Sequence, residues 1–277
     1  MKACITLDLE PDHAGRIAPA HTAWERARVG TMLDLLAAHE APLSAFVVAG
    51  SLGAVPGVVE RFQEAGTEFH LHSYSHDLAN PDSADEIRRG QEAFARFFGK
   101  PAEGYRAPEG RISPEGFARL EAEGFRFDSS VFPSFWPRPR YATFPRRPYR
   151  PAGVRLVEMP VATVTPARII VSLSWMKLLG WPVFRRLLDL PLPDPLVFDM
   201  HLHDLWELPS KTELKAPWSW IYARNASSGF PILEAFLAAL AGKGYELITI
   251  GQAAREAEAS LALPGGDAAT VPAVRVS

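Results

Sequence analysis

Short apolar runs alternate with amphipathic stretches along most of this chain of 277 residues. Eight runs rich in β-branched and aromatic residues are predicted to be strands: 3–9, 43–49, 68–72, 104–106, 125–129, 154–160, 196–203 and 246–250. Five stretches between them repeat apolar residues at helical spacing: 26–39, 55–66, 84–98, 114–124 and 231–243. Because parallel strands need long crossovers, usually helices, this alternation predicts an α/β fold. At this length, seven or eight units favour a distorted (β/α)7-8 barrel, formed as a single domain by residues 1–262. Residues 263–277 are predicted to be a loosely ordered tail.

Composition excludes several classes of protein. A net charge of −3 gives no overall field for nucleic acid or an anionic membrane. The single cysteine, Cys4, cannot form an internal disulfide. No targeting segment and no apolar run of about 20 residues is visible. We therefore expect a cytoplasmic protein, with the inner face of the membrane as an alternative place of action.

Two segments interrupt the alternation of strands and helices. Residues 131–151 hold six prolines, five arginines and no acid. They are interpreted either as an extended surface excursion or as a basic, aromatic lip that grips sugar rings and an anionic group. Residues 171–190 are apolar almost all round. They either pack on the barrel or contact a membrane surface or a lipid-linked substrate.

The first predicted strand ends in a cluster of polar side chains. Because a strand points alternate side chains to one face, Thr6, Asp8 and Glu10 project together. Two carboxylates buried side by side require a cation or a donor to compensate them. In a barrel this strand end lies at the carboxyl-terminal mouth, where active sites are found.

Histidines are concentrated in two short windows. Five of the eight lie at 70, 72, 76, 201 and 203. The spacing of His72 and His76 allows both imidazoles to meet one metal ion. One carboxylate from the first strand would complete three protein ligands and leave an open position, which is typical of a catalytic site.

Three further motifs follow predicted strands. Arg106 can form a two-pronged pair with a carboxylate, which would hold Asp8 ionised. Period two places the side chains at 199, 201 and 203 on one face. A histidine there could protonate a leaving group, with an acid such as Asp128 to orient it.

The five motifs together resemble the polysaccharide deacetylase family, which is carbohydrate esterase family 4 or the NodB-homology domain. The resemblance extends from about residue 3 to about residue 252 and includes the acid motif, the H-S-x-x-H box, the R-x-P-x-G motif, Asp128 and the late L-H-D motif. The sequences at 128–133 and 157–160 are similar to the branch that acts in bacterial cell-surface glycan biosynthesis.

The resemblance implies a barrel that binds a divalent metal, most commonly zinc, and removes an acyl group, usually acetyl, from an N-acetylated sugar. By motif, Glu10, His72 and His76 are the implied metal ligands, and Asp8 is the implied general base. The remaining implied roles are Arg106 as the residue that orients Asp8, His203 as the general acid and Asp128 as the residue that tunes His203.

Some assignments stay open at this point. Leu9 separates the two acids that are adjacent in the usual family motif, so Asp8 and Glu10 could exchange roles, and Asp12 is a reserve ligand. His201 also faces inward and could be the acid. The predicted substrate contacts lie in or near the motifs and the lip: Tyr74, Pro108, Trp136, Leu202 and Trp206.

The predicted partner is a sugar or glycan precursor, which could be linked to a lipid or a nucleotide, and no nucleic acid polymer. One alternative function on the same fold is the opening of a cyclic amide or imide. Another is glycan binding without catalysis. A metal hydrolase barrel of the amidohydrolase type is disfavoured, because its H-x-H motif follows the first strand, where this chain has acids.

Overall fold

Ten strands and ten helices are formed by the residues that the computed structural model describes, namely 1–10, 26–54, 56–136, 139–205, 216 and 218–262. The strands are β1 (Lys2–Leu9), β2 (Leu43–Val47), β3 (Glu68–Leu71), β4 (Gly104–Tyr105), β5 (Phe127–Asp128), β6 (Val157–Glu158), β7 (Thr163–Val164), β8 (Ile169–Ile170), β9 (Leu196–His201) and β10 (Glu246–Leu247). The helices are α1 (Arg26–Ala38), α2 (Pro56–Glu64), α3 (Ala84–Phe98), α4 (Pro114–Ala122), α5 (Leu173–Leu179), α6 (Trp181–Leu187), α7 (Leu202–Leu205), α8 (Trp218–Ala223), α9 (Gly229–Gly242) and α10 (Ile250–Leu261).

The main sheet is parallel throughout and is centred on β1. Its strands follow the order β10-β1-β2-β3-β4-β5-β6, and β9 also pairs with β1. Each of the eight predicted strands overlaps one of these strands, and the five predicted helices overlap α1 to α4 and α9.

Apolar side chains of β1 pack into two separate cores. Ile5 and Leu7 pack in the larger core, whereas Cys4 belongs to a second core with Phe46 and Phe127.

The sheet curls until its two ends meet. Beyond β6, the backbone N–H of Ala162 donates a hydrogen bond of 2.8 Å to the carbonyl of Val197 in β9. The β7–β8 hairpin follows this contact as a separate antiparallel pair, before β9 returns to the parallel sheet. The expected fold, a distorted (β/α) barrel in a single α/β domain, is confirmed. Residues 263–277, the predicted tail, lie outside the described residues.

The two interrupting segments are built into this framework. In residues 131–151, Tyr141, Phe144 and Tyr149 are buried, and the Arg146 guanidinium donates to the carbonyl of Thr163. In residues 171–190, α5 and α6 bury much of their apolar surface, while Val183 and Leu190 stay exposed; the buried residues include Leu173, Met176 and Phe184. Most of the apolar surface of residues 171–190 thus packs inward. Among the described residues, no helix is long and apolar enough to cross a membrane.

The end of β9 differs from the sequence-based prediction. The strand was predicted to continue to residue 203, but it ends at His201, and the chain turns into α7. The Asp204 carboxylate accepts the backbone N–H of His201 at 3.1 Å, which stabilises the first turn of the short helix. The predicted end of the strand is therefore wrong, because His203 lies in α7 rather than in β9, although its ring still stacks on that of His201.

Candidate active site

Glu10, His72 and His76 converge at the carboxyl edge of the sheet. The Nε2 atoms of the two histidines lie 3.2 Å apart, and His76 Nε2 is 2.7 Å from Glu10 Oε2. One ligand atom from each residue lies within 4.8 Å of the others, and all three residues are buried. Two imidazoles and a carboxylate are ligands that suit zinc and similar divalent ions.

The protonation state of His72 fits metal binding. Its Nδ1–H donates to the backbone carbonyl of Arg106 at 2.8 Å, which directs the Nε2 lone pair toward Glu10 and His76. Burial lowers the pKa of His72 to about 4, although the nearby charge of Asp8 opposes this shift. A neutral imidazole with its second nitrogen engaged by a carbonyl is the form that coordinates a metal.

The loop between the two histidines is held by a buried glutamate. Ser73 and His76 both adopt left-handed backbone conformations, with φ of 68° and 63°, which are uncommon for residues with a side chain. Glu86, in the first turn of α3, accepts hydrogen bonds from the backbone N–H groups of Tyr74 and Ser75 at 3.2 and 2.8 Å. The Ser75 hydroxyl also donates to Glu86, at 2.7 Å. These bonds compensate for the strain of a loop that brings both imidazoles to one point.

Asp8 lies next to this cluster but has a different partner. Arg106 is fully buried, and its Nη1 lies 2.7 Å from Asp8 Oδ1 and 2.9 Å from Asp199 Oδ1. Burial alone would raise the pKa of Asp8, but Arg106 and the neighbouring histidines outweigh it and lower that pKa. In contrast, burial and the charge of Asp8 raise the pKa of Asp199 to about 7. Asp8 is therefore the ionised carboxylate of this pair.

Of the two late histidines, His201 faces the site. Its Nε2 lies 3.8 Å from Asp8 Oδ2 and 3.7 Å from Glu10 Oε1. Its side chain is 18% exposed, a larger fraction than for the side chains of Asp8 and Glu10. Burial lowers the pKa of His201, but the surrounding carboxylates, Asp204 first among them, raise it overall to about 10. His203 is only 2% exposed and its ring stacks on His201, with centroids 4.8 Å apart.

The structure brings Asp128 to a partner that the sequence did not suggest. Its carboxylate accepts the Ser130 hydroxyl at 2.7 Å and the Ser130 N–H at 3.0 Å. Asp128 also faces Glu158, and burial together with the charge of Asp128 raises the pKa of Glu158 well above its usual range. Ser129, next in the chain, binds the guanidinium of Arg106 through its hydroxyl at 3.0 Å.

The predicted substrate contacts divide into exposed and buried residues. Tyr74 is half-buried beneath the guanidinium of Arg89, which lies 4.1 Å from the ring centroid. Trp136 is 41% exposed and meets the Trp175 ring edge-on. Pro108 and Leu202 are buried. Trp206 and the reserve ligand Asp12 lie outside the described residues.

Sequence reasoning missed the residues that support the site. Glu86, Glu158 and Lys177 are buried ionisable residues, and none of them belongs to one of the five motifs. A buried charge is invisible in a single sequence, because helical periodicity places polar residues on a face without saying whether solvent reaches it. The nearest signal was Glu158, whose neighbours contributed to the resemblance but whose carboxylate was given no role.

The fold and the site define a class of protein: a β/α barrel with a buried cluster of two histidines and a carboxylate at its mouth, which could hold a metal ion, beside an arginine-bound aspartate. Residues 12–127 match the family model of the polysaccharide deacetylases. Together with the fold, this match confirms the resemblance to that family.

Several solved structures share this fold. A Mycobacterium smegmatis protein described as a polysaccharide deacetylase is 19% identical, with 95% of this chain and 92% of that chain covered at a TM-score of 0.65. A Pseudomonas aeruginosa PAO1 protein with the same description is 16% identical, with the same coverage and a TM-score of 0.61. Puue allantoinase is also 16% identical over the same shares, with a TM-score of 0.60. No curated protein matches the sequence.

Proposed function

We propose that this protein is a divalent-metal-dependent hydrolase that removes the acetyl group from an N-acetylated sugar of a glycan or glycan precursor. The observation that carries the proposal is the convergence of Glu10, His72 and His76 on one point, with Asp8 held beside them by Arg106. Zinc suits this donor set. A divalent ion bound there supplies Lewis acidity, which polarises an amide carbonyl and lowers the pKa of water.

Asp8 is the proposed general base. Arg106 occupies its Oδ1, which leaves Oδ2 facing His72 and His201 across the site. An ionised carboxylate fixed in this way can accept the proton of the attacking water. Glu10 Oε2 lies 2.7 Å from His76 Nε2, whereas Asp8 is bound by Arg106, so the geometry favours Glu10 as ligand and Asp8 as base over the exchanged roles.

His201 is the proposed general acid. It lies close to Asp8 and Glu10, and its side chain is more exposed than theirs. It can protonate the departing amine as the tetrahedral intermediate collapses. The assignments of His203 as the acid and of Asp128 as its tuning residue stay predictions, and the contacts of Asp128 with Ser130 and of Asp204 with His201 favour the alternative.

A sugar substrate has aromatic surface available to it. Tyr74 belongs to the loop that carries the metal ligands, and the exposed ring of Trp136 stands on the neighbouring excursion. Aromatic rings of this kind pack against the apolar faces of sugars. The family supports a carbohydrate as the substrate. A lipid or nucleotide carrier, the cell-surface glycan branch, a contact of residues 171–190 with the membrane and the cytoplasmic location stay predictions.

The deciding experiment measures metal content and acetate release on the same preparation. We expect about one divalent ion per chain and release of acetate from short N-acetylated oligosaccharides. His72→Ala should lose both, whereas His39→Ala, on a histidine outside the site, should lose neither. A parallel assay follows the opening of a cyclic amide such as allantoin, because one fold relative is an allantoinase. Ring opening without acetate release would favour that alternative, and absence of both metal and turnover would indicate glycan binding without catalysis.

A further inference from the structure

Asp204 is held from three directions by polar groups, and two of these belong to α5. Its carboxylate Oδ1 accepts the Ser174 hydroxyl at 2.7 Å, and its backbone carbonyl accepts Lys177 Nζ at 2.8 Å. The third group is the backbone N–H of His201, which donates to Oδ2 at 3.1 Å. Oδ2 also lies 3.5 Å from His201 Nδ1. One fully buried carboxylate therefore connects α5 to the ring that faces the site.

The burial of the Lys177 ammonium is unfavourable for folding. The residue is 1% exposed, and burial lowers the pKa of its ammonium while the charge of Asp204 opposes that shift. Burying an ammonium is unfavourable unless a strong hydrogen bond or a charge compensates it. A methionine could fill the same space without that cost. The property that distinguishes lysine here is its bond to residue 204.

The start of α5 is fixed beside the catalytic strand. Ser172 pairs with Asp199 of β9, and the Asp199 N–H donates to the carbonyl of Val171 at 3.4 Å. The Ser172 hydroxyl caps the helix by accepting the N–H of Trp175. On the opposite side, a Cβ added to Gly229 would lie 2.3 Å from the Asp204 carbonyl oxygen, so α9 packs tightly against the same turn. The His201 turn is thus clamped between α5 and α9.

We infer that Ser174 and Lys177 are positioning residues for the reaction: through Asp204 they fix the His201 ring in the orientation that delivers its proton to the leaving group. The inference rests on the proposed function, in which His201 acts as the acid. It also gives the apolar segment 171–190 a role inside the active site. The base side of the site, Asp8 and Arg106, does not depend on these bonds.

The test compares two acetylated substrates that differ in their need for an acid. An N-acetylated sugar releases an amine, which must be protonated as it leaves, whereas 4-nitrophenyl acetate releases a phenolate that needs no proton. Ser174→Ala and Lys177→Met should each lower kcat for the sugar about tenfold, the effect of losing one hydrogen bond, with KM unchanged. The rate with the nitrophenyl ester should change less than about twofold, because the acid is not used.

Two further variants separate positioning from general damage. Ser174→Thr keeps the hydroxyl and should restore most of the rate on the sugar. Lys243→Met removes a lysine that pairs with Asp189 on the surface, and it should leave both rates unchanged. Melting temperatures of all variants establish that they are folded under the assay conditions.

The outcomes distinguish this inference from the function on which it rests. If the wild type is active and the α5 variants lose both activities equally, or lose neither, the positioning role is overturned while the deacetylase function stands. If the wild type releases no acetate from either substrate, the proposed function is overturned and the inference with it.

Discussion

Strand β3 and the residue after it supply two histidines, and each lies near a carboxylate in different surroundings. His70 Nε2 lies 3.0 Å from Glu68 Oε2, beneath the site and between the rings of Phe46 and Phe127. His72 lies two residues further along the chain, where it meets Glu10 and His76 at the carboxyl edge. Both histidines are buried. The residue types are the same, but their surroundings differ.

The difference lies in what the carboxylate accepts. Glu68 Oε2 receives hydrogen bonds from the Ser44 hydroxyl at 3.0 Å and from the Gly251 N–H at 2.9 Å, in addition to the imidazole. A Cβ on Gly251 would lie 2.2 Å from the other oxygen of Glu68, so the glycine allows this close approach. His70 and Glu68, the lower pair, therefore have their hydrogen-bonding capacity filled by groups of the protein, and they hold β2, β3 and α10 together. In the upper cluster, formed by Glu10, His72 and His76, the Nε2 atoms of the two imidazoles point at each other and at the carboxylate. A cation would complete this arrangement.

The largest expected effect is a loss of turnover at the site without a loss of metal. Asp8→Asn keeps the size of the side chain but removes the carboxylate that accepts the proton. We expect kcat to fall about a thousandfold with the metal content unchanged, since a general base contributes at about this level. Acetate release and elemental analysis of the same sample measure the two quantities. Asp34→Asn, on an exposed residue of α1, is the control. An Asp8→Asn enzyme with wild-type turnover would show that another group is the base.

Replacing His70 and His72 by alanine, one at a time, tests directly whether the first is structural and the second binds the metal. His70→Ala should keep the bound metal but lower the free energy of unfolding by about 2–3 kcal/mol, because a buried imidazole is removed and the half-buried Glu68 loses one of its partners. His72→Ala should lose the metal with a smaller change in the stability of the metal-free protein. Urea unfolding and metal titration of both variants measure this. Loss of metal from His70→Ala in the folded state would contradict the division into a structural and a functional pair.

Acid should weaken the lower pair in a defined pH range. Burial raises the pKa of Glu68, but His70, Gly251 and Ser44 outweigh burial and lower the pKa from 4.5 to about 2. A carboxyl group whose pKa is lower in the folded state stabilises the fold above the unfolded pKa, and this stabilisation disappears as the pH falls through the folded pKa. We therefore expect the wild type to lose about 2–3 kcal/mol more than Glu68→Gln between pH 5 and pH 2. Equal acid sensitivity of the two proteins would remove the structural role of Glu68.

The smallest effect is expected from the loop that joins the metal ligands. Glu86→Gln weakens the bonds to Tyr74 and Ser75 that hold the strained loop. Metal affinity should fall about tenfold, as for other residues that orient ligands without binding the metal. Isothermal titration with zinc measures it, and Glu92→Gln, on the exposed face of the same helix, should have wild-type affinity. Unchanged affinity in Glu86→Gln would show that the loop keeps its shape without the carboxylate.

Much of the fold could be predicted because strands and helices bury different periodic patterns. The runs around β1, β2, β3 and β9 are apolar enough to be recognised as buried strands, and the motif residues follow their ends. Parallel strands bring such ends to one edge, so the meeting of Glu10, His72 and His76 was predictable from order alone. The sequence alone could not decide which of Asp8 and Glu10 is the base and which is the ligand, because this depends on which carboxylate the guanidinium of Arg106 reaches.

The end of β9 was predicted two residues too late for a local reason. Alternation assumes that a strand continues, and the bond from the His201 N–H to Asp204 ends β9 at that point. The contacts of Ser174 and Lys177 with Asp204 join residues about 30 apart in the chain, with α6 and β9 between them. No periodic signal encodes a contact of this kind, because it depends on where α5 packs against β9.

The central position of β1 has a consequence for the timing of folding. This strand carries Asp8 and leads to Glu10, yet it pairs with β9, which is synthesised far later; the Thr6 hydroxyl, for example, donates to the carbonyl of Phe198, 192 residues away. Arg106, in turn, reaches both Asp8 and Asp199. A nascent chain that ends before β9 therefore lacks both the acid and one wall of the barrel. Because contacts of high sequence separation form slowly, catalytic competence should appear only when the whole sheet has closed, which makes turnover a sensitive indicator of complete folding.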